Sequence, residues 1–459
     1  MSAIPAMKDA TKKLCRRIVG ITHKDLTPDA IARARQLFLD GLAVAVAGTI
    51  QEEPPSILAA HAKEMGGIEA STLIGFGFKT TPVQAAYVNG SSMHVLDFEP
   101  MWSPANHQLS TSLPGILALA EYRDLDGREA ATALVKGIEM MGWLREGSGQ
   151  FDARAIRFHP PGLVGPMGSA VAAGHMMGLT PEQLQAAIGM AASRCGSVLA
   201  NAGTMTKSTH CGLACSLGVD AAMLAARGFG AHMEILETPR GYVDMFFDGK
   251  FAWEMLEKFG PPFRVVTPGY AIKMFPSQFG THFVITAGLE LHKKIGDAKR
   301  IKKIRLTTPN MPYIDRPKPA TGLAGKFSWQ YTTVCALLDG KVTMSTFEDE
   351  HRFSPAVEAL LDKVEVTPDD SIPARFEELY VVLEVDLDDG TTVKTRCNGP
   401  RGKWGTPPIT VEEHLVKVRD CLSTRLKERD RERLIELAGS FEQLGNKDLR
   451  EVMKIVGCG

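Results

Sequence analysis

Two long stretches almost free of charge, GLVGPMGSAVAAGHMMGL (162–179) and HCGLACSLGVDAAMLAARGFGA (210–231), place the tightest limit on how this chain can fold. Both are rich in Ala and Gly. A helix that is apolar on most of its sides must be surrounded by other elements, and small side chains let neighbouring axes approach closely. The chain is therefore expected to build a multi-helix core with buried central helices.

The flanking punctuation agrees. Thr27-Pro28-Asp29 supplies a cap and a proline at the first helical position ahead of AIARARQLFLDGLAVAVAG, and Thr180-Pro181-Glu182-Gln183 repeats the device before LQAAIGMAAS. Near Gly260-Pro261-Pro262 the texture changes. IKKIRLTTP (301–309) and ELYVVLEVDLDDGTTVKTRCNGP (378–400) alternate with period two, and Asp388-Asp389-Gly390 is a hairpin signal. After Pro407-Pro408 a charged helical run returns over 411–444, expected to pack back on the helical part. With 459 residues, two domains are the natural division.

The 52 basic and 53 acidic residues are mixed along the chain and sum to −1, so the basic stripe that a nucleic-acid backbone requires is missing. Met1–Leu14 lacks the apolar segment of a secretory signal, and runs such as LFLDGLAVAVAGTI are too short and interrupted to span a bilayer. The expected location is the cytoplasm, or a mitochondrial matrix after removal of a transit peptide, with no membrane partner. Eight cysteines without paired spacing fit reduced thiols and no structural disulfides. The fingerprint of dinucleotide sites, the Walker loop, the G-x-S-x-G elbow and a full set of metal-ligand spacings are all missing; His210, Cys211, Cys215 and Cys195 read more simply as a helix face and its core.

Chemistry concentrates in five segments. In MHVLDFEPMWSPANHQLSTS (93–112), His94, Asp97, Glu99 and His107 gather where Pro100 and Pro104 oppose regular secondary structure. The competing reading is a loop with a capping Asp97 and solvated histidines. In RAIRFHPPGLVGPMGS (154–169), His159, with Arg154 and Arg157, precedes a helix start whose partial positive charge and free N–H groups would suit a carboxylate, unless His159 only caps that helix. In NAGTMTKSTHCG, Lys207 and His210 share one helical face on the lip of an apolar helix, as an anion clamp or proton donor pair, or else Lys207 extends to solvent. IKMFPSQFGTHF offers Lys273, Ser277, Gln278 and His282, and KFSWQYTTVCALLDG offers Tyr331, whose simplest role is a packed ring with a satisfied hydroxyl.

Taken in order, LFLDGLAVAVAG, STLIGFGFKTTPVQAAYVNGSSMHVLDFE, the His107 turn with SLPGILALAE, FHPPGLVGPMGSAVAAG, GTMTKSTHCG, KMFPSQFGTH and FSWQYTTVCALLDG resemble the MmgE/PrpD family across essentially the whole chain. That family includes 2-methylcitrate dehydratases, cis-aconitate decarboxylases and iminodisuccinate epimerases. The resemblance implies a mainly α protein: a large all-helical domain, 1–267 completed by 408–459, plus a smaller α+β lid, 268–407. It also implies a homodimer, an interdomain cleft and no metal or organic cofactor.

Asp97, His107, His159, Lys207, Lys273 and Tyr331 fall on the family's active-site positions. Asp97, His107, His159, Lys207 and Tyr331 are the expected catalytic set, and Lys273, His210, Gln278, Arg157, Ser277 and Met101 the substrate-binding set. The chain departs from the family's usual DFDD at Glu99-Pro100-Met101, and Gln108 follows His107 where proline is usual. Ser103 and Gln278 stand where the decarboxylase pattern has histidines.

The chemistry implied is removal of a proton next to a carboxylate of a small di- or tricarboxylate, by His107 oriented by Asp97, or by Lys207. Hydroxide loss would make the chain a dehydratase, carbon dioxide loss a decarboxylase, and reprotonation on the opposite face an epimerase. A carboxylate-binding member without catalysis is the alternative of another class.

Overall fold

The computed structural model describes residues 7–152 and 156–457. Helices dominate the first half. Thr27 caps α1 (Pro28–Gln51), its hydroxyl accepting from the Ala30 N–H at 3.2 Å. Next come α2 (Pro82–Val95), α3 (Gly127–Ser148), α4 (Pro160–Met177), α5 (Pro181–Ala192) and α6 (Met205–Ala226). Thr180 and Gln183 cap α5 reciprocally, as the sequence predicts.

The two charge-poor stretches become α4 and α6, which pack on each other and are wrapped by α2, α3 and α5. Helix α6 is long and apolar enough to cross a membrane, and 61% of its most apolar window is buried inside the protein. Close approach depends on missing side chains. A Cβ on Gly212 of α6 would lie 2.1 Å from the Tyr87 carbonyl oxygen of α2, and one on Gly90 of α2 would lie 2.7 Å from the Gly212 Cα. Gly212→Ala is therefore expected to force the helices apart and destabilise the fold by about 1–3 kcal/mol, read as a lower urea midpoint.

The second half is mixed. Helices α7 (Thr281–Ile295) and α8 (Trp329–Asp339) pack together. Beside α7 lies a four-stranded sheet of β1 (Ile301–Thr308), β2 (Val364–Pro368), β3 (Val381–Leu387) and β4 (Thr392–Cys397). The spatial order is β2-β1-β3-β4, with β1 parallel to β2 and the other pairs antiparallel. Val381, Leu383, Val385 and Leu387 alternate inward along β3, and the Asp388-Asp389-Gly390 hairpin joins it to β4 as expected. Helices α9 (Val411–Ser423) and α10 (Glu428–Ala438) return to pack on α1.

Two large hydrophobic clusters result. One draws on residues from Ala10 to Ile272 and from Val418 to Val456, the other on Met101 and residues from Ala271 to Cys397. Met101 and Trp102 pair with Ala271 and Tyr270, so the 93–112 segment is stitched to the entrance of the second cluster. This corrects the expectation that the segment is irregular throughout: Met93–Val95 complete α2, and Met101–Trp102 form a short strand before the first residues of the turn. All seven described cysteines are free thiols.

Candidate active site

The site forms because α2 ends at Val95 and the chain turns sharply. Asp97 adopts φ 52°, a left-handed backbone that aspartate tolerates better than bulkier residues. The turn aims His94, Asp97 and Glu99 inward, and all three side chains are almost wholly buried. From the C-terminal side, Lys417 of α9 donates to the Phe98 carbonyl at 2.8 Å and pairs with buried Asp40 of α1, which fixes the loop from behind.

Asp97 is held between two ammonium groups. Lys207 Nζ lies 2.7 Å from Oδ2, and Lys273 Nζ binds Oδ1 and also donates to the Asp97 carbonyl at 2.9 Å and the Ser277 carbonyl at 3.2 Å. Burial alone would push the Asp97 carboxyl up, but Lys207 and Lys273 outweigh it and hold the group well below the usual carboxylate range. Lys207 Nζ is also 2.9 Å from His94 Nε2. An ammonium only donates, so His94 Nε2 accepts, and its Nδ1–H points to Glu99 Oε1 at 2.5 Å. Burial and Lys207 push His94 down to about 3, so this imidazole is neutral.

Glu99 Oε1 also lies 3.0 Å from His107 Nδ1. Asp97 Oδ1, by contrast, is 3.9 Å from His107 Nε2, beyond hydrogen-bond reach. This differs from the sequence reading: Glu99 rather than Asp97 is the carboxylate nearer to His107, although the 3.0 Å approach is not aligned as a hydrogen bond. A proton on Nδ1, the nitrogen nearer that carboxylate, would leave Nε2 free to accept one, the arrangement a general base needs. Burial would raise Glu99, and His94 and His107 reverse this and keep it ionised.

His107 faces a cavity of about 620 Å³, mouth included, between the two hydrophobic clusters. His159 and Lys207 share its wall, with Met101 and Gln278 across from them. The His107 and His159 rings are 5.7 Å apart, and His159 Nδ1 is 3.2 Å from His210 Nδ1. Burial first, and then Lys207, push both down, His210 to about 4. Lys273 and Ser277 stand one layer back from this wall, holding Asp97 and Thr281 respectively.

Several expectations are revised. His159 is the residue before α4, yet its side chain makes no capping bond and turns into the cavity. The anion cradle expected there is absent, because Pro160 and Pro161 have no N–H and the Gly162 N–H donates to the His159 carbonyl at 2.9 Å. Arg157 is exposed and away from the described cavity wall, and Arg154 lies outside the described residues.

Tyr331 is buried in α8, where its hydroxyl donates to the Thr346 carbonyl and lies 3.0 Å from His351 Nδ1. It does not line the cavity, so the packed-ring alternative describes it better than the catalytic assignment. Tyr331→Phe should leave kcat near the wild-type value and lower stability by about 1 kcal/mol, the net worth of one hydrogen bond. Steady-state kinetics and a urea melt measure both.

Two contributors were not singled out from the sequence. Tyr313, after Pro312 in a segment without periodicity, lines the cavity and accepts from Gln278 Nε2 at 2.6 Å. Burial keeps its phenol protonated, hence a donor. Asn106 also lines the cavity, and both polar atoms of its buried amide lack a partner in the protein. Buried amides are normally satisfied, and with its place on the cavity wall this makes Asn106 a candidate ligand contact.

The ligand atoms of His94, His107 and His159 lie within 4.8 Å of one another, as do those of Asp97, Glu99 and His107. A metal ion there would compete with the Lys207 ammonium for His94 Nε2 and Asp97. The arrangement is better matched to proton transfer beside an anion than to a cation.

Comparison with known proteins places the chain in a family. The MmgE/PrpD N-terminal domain model matches residues 12–254, and the MmgE/PrpD C-terminal domain model matches 275–443. Cis-aconitate decarboxylase from Mus musculus is 31% identical over 451 residues, covering 95% of this chain and 92% of that protein. The Homo sapiens enzyme of the same name is 32% identical over 455 residues, covering 95% and 93%. 2-Methylcitrate dehydratase from Escherichia coli K12 is 25% identical over 415 residues, covering 83% of each. With both halves matched and this coverage, the chain belongs to the MmgE/PrpD family.

Proposed function

We propose that this enzyme is a cofactor-independent lyase that removes a proton next to a carboxylate of a small di- or tricarboxylate, with His107 as the base. The observation that carries the reading is the Glu99–His107 pair at 3.0 Å, on the wall of a cavity shared with His159 and Lys207. Its relatives named as decarboxylase and dehydratase support the same class.

In this reading the electron pair released by C–H cleavage moves into the adjoining carboxylate, giving an enediolate-like anion. Lys207 stabilises that charge from 2.7 Å beside Asp97, and the neutral phenol of Tyr313 or the Lys207 ammonium returns a proton. Loss of hydroxide completes a dehydratase cycle. A decarboxylase cycle instead opens at the C–CO2 bond: carbon dioxide leaves, its bonding pair stays on carbon without prior proton removal, and one proton from Lys207 or Tyr313 quenches that anion. The unit 268–407 acts as the lid: Phe327, Phe376, Gln278 and Tyr313 wall the cavity from that side, and closure on the ligand would exclude water.

Epimerisation of an iminodisuccinate-like dicarboxylate is the second reading, favoured by Gln278 facing the cavity where the decarboxylase pattern has a histidine. Incubation in deuterated water with 2-methylcitrate, cis-aconitate and iminodisuccinate, followed by NMR, tests all of them. Deuterium uptake with loss of water or carbon dioxide supports the lyase. Exchange with inversion and no elimination supports the epimerase, and binding without exchange overturns both.

A further inference from the structure

A second nucleophile–base–carboxylate chain lies away from this cavity. Lys136, in the middle of α3, is only 2% exposed, and its Nζ sits 3.0 Å from His175 Nδ1 in the last turn of α4. On the other side of that ring, His175 Nε2 is 3.0 Å from Glu129 Oε2, which is 43% exposed and opens to solvent. The amine faces a recess of about 610 Å³, mouth included, whose walls include Ile18, Val171, Leu179 and Leu184. The other charged or titratable groups facing it are Asp25 and His23, the latter 3.4 Å from Thr132 Oγ1, one turn before Lys136.

A lysine buried this deeply normally sits on a carboxylate. Among the described residues Lys136 makes no ion pair, and its hydrogen-bond partner is a ring nitrogen. Burial pushes its ammonium down to about 8, against the opposing pull of Glu129 and Asp25. The neutral fraction at pH 7 is then roughly 300-fold larger than for an ordinary lysine near 10.5. The spatial order Lys136, His175, Glu129 is that of an activated nucleophile, a base and the group that orients the base.

We propose that Lys136 is a modification site, a nucleophilic lysine that is carboxylated by carbon dioxide to a carbamate. The Nζ lone pair forms the C–N bond, one C=O π pair moves onto oxygen, and the Nζ proton passes to His175 Nδ1. Burial disfavours the charged imidazole, so His175 passes a proton on from Nε2, 3.0 Å from Glu129 Oε2, to solvent. No oxidant, reductant or further reactant is needed. Carbon dioxide suits the site because it is small and uncharged, so it can reach a side chain with 2% exposure through the recess without bringing a further negative charge beside Glu129. The proposal is independent of the reaction assigned to the main cavity.

The test equilibrates the full chain with ¹³C-bicarbonate at pH 8, traps carbamates by O-alkylation with a trialkyloxonium salt, and locates the adducts by peptide mass spectrometry. The expected result is labelling of Lys136 at least about 10-fold above the surface lysines, and, at short exposure to bicarbonate, a labelling rate lower by about 10²-fold or more in His175→Gln, the scale of general-base help. Labelling of Lys136 no greater than that of surface lysines overturns the proposal, as does an equal labelling rate in a folded His175→Gln variant. A wild-type arm needs no variant to fold: at fixed dissolved carbon dioxide, the Lys136 carbamate should appear at lower pH than the carbamates of the surface lysines. A pH dependence matching that of the surface lysines would count against it.

Discussion

Replacement of His107 by Gln is expected to lower kcat by about 10²–10⁴-fold, the range general acid–base groups typically contribute. Glutamine fills similar space and can still meet Glu99, but it has no nitrogen able to take a proton. Glu99 keeps its bonds to His94 Nδ1 and Ser110 Oγ, so the fold should persist, with an unchanged far-ultraviolet spectrum and melting temperature. The partner variant Glu99→Gln separates orientation from proton transfer. A neutral amide no longer selects the Nδ1–H tautomer of His107, so kcat should fall by about 10²-fold or more while the Nε2 atom is still present. Both are read on whichever substrate shows deuterium exchange. Near-normal turnover in His107→Gln would remove this imidazole from the mechanism, and a normal Glu99→Gln would return the orienting role to another group.

Much of the architecture is written in local chemistry. Thr27-Pro28 and Thr180-Pro181 start helices where capping physics says they should, Asp389-Gly390 turns a hairpin, and the Ala/Gly stretches of α4 and α6 pack closely because only small residues permit the Gly218–Ser169 and Gly90–Gly212 approaches. The site is legible to a different degree. Asp97, His107, His159 and Lys207 converge, as their shared chemistry and the family resemblance imply. Which carboxylate serves which histidine depends on the left-handed backbone at Asp97, and residue types alone carry no record of that turn. Glu99 therefore reads in sequence as a departure from the DFDD pattern, although in space it organises two imidazoles. Tyr331 shows the reverse failure. A tyrosine in a motif of the right order is still only a packed ring when the Thr346 carbonyl lies within reach of its hydroxyl.

Asp97→Asn is expected to cost the most stability of any single change in the site, about 3–5 kcal/mol at pH 7, because it leaves buried charge without its partner. The substitution keeps the shape and removes one negative charge between Lys207 and Lys273, whose side chains are 11% and 0% exposed. Lys273 still has the Asp97 and Ser277 carbonyls as acceptors, so its loss is mainly electrostatic. Burial already lowers the Lys273 ammonium, and without the opposing carboxylate it falls further, until the amine is neutral. Activity should be lost as well, since Lys207 would no longer be held against the cavity wall. The pH dependence distinguishes charge from packing. Asp97 has a folded-state pKa well below its unfolded value near 3.9, so its contribution is complete above that value and disappears as pH falls through the folded pKa. Urea unfolding of wild type and Asp97→Asn should differ fully at pH 7 and draw together below about pH 4, where the carboxylate of the unfolded wild-type chain begins to bind its proton. A difference that stays constant down to pH 3 would mean that the side chain acts through packing, and the ammonium–carboxylate–ammonium core would lose its claim to hold the site together.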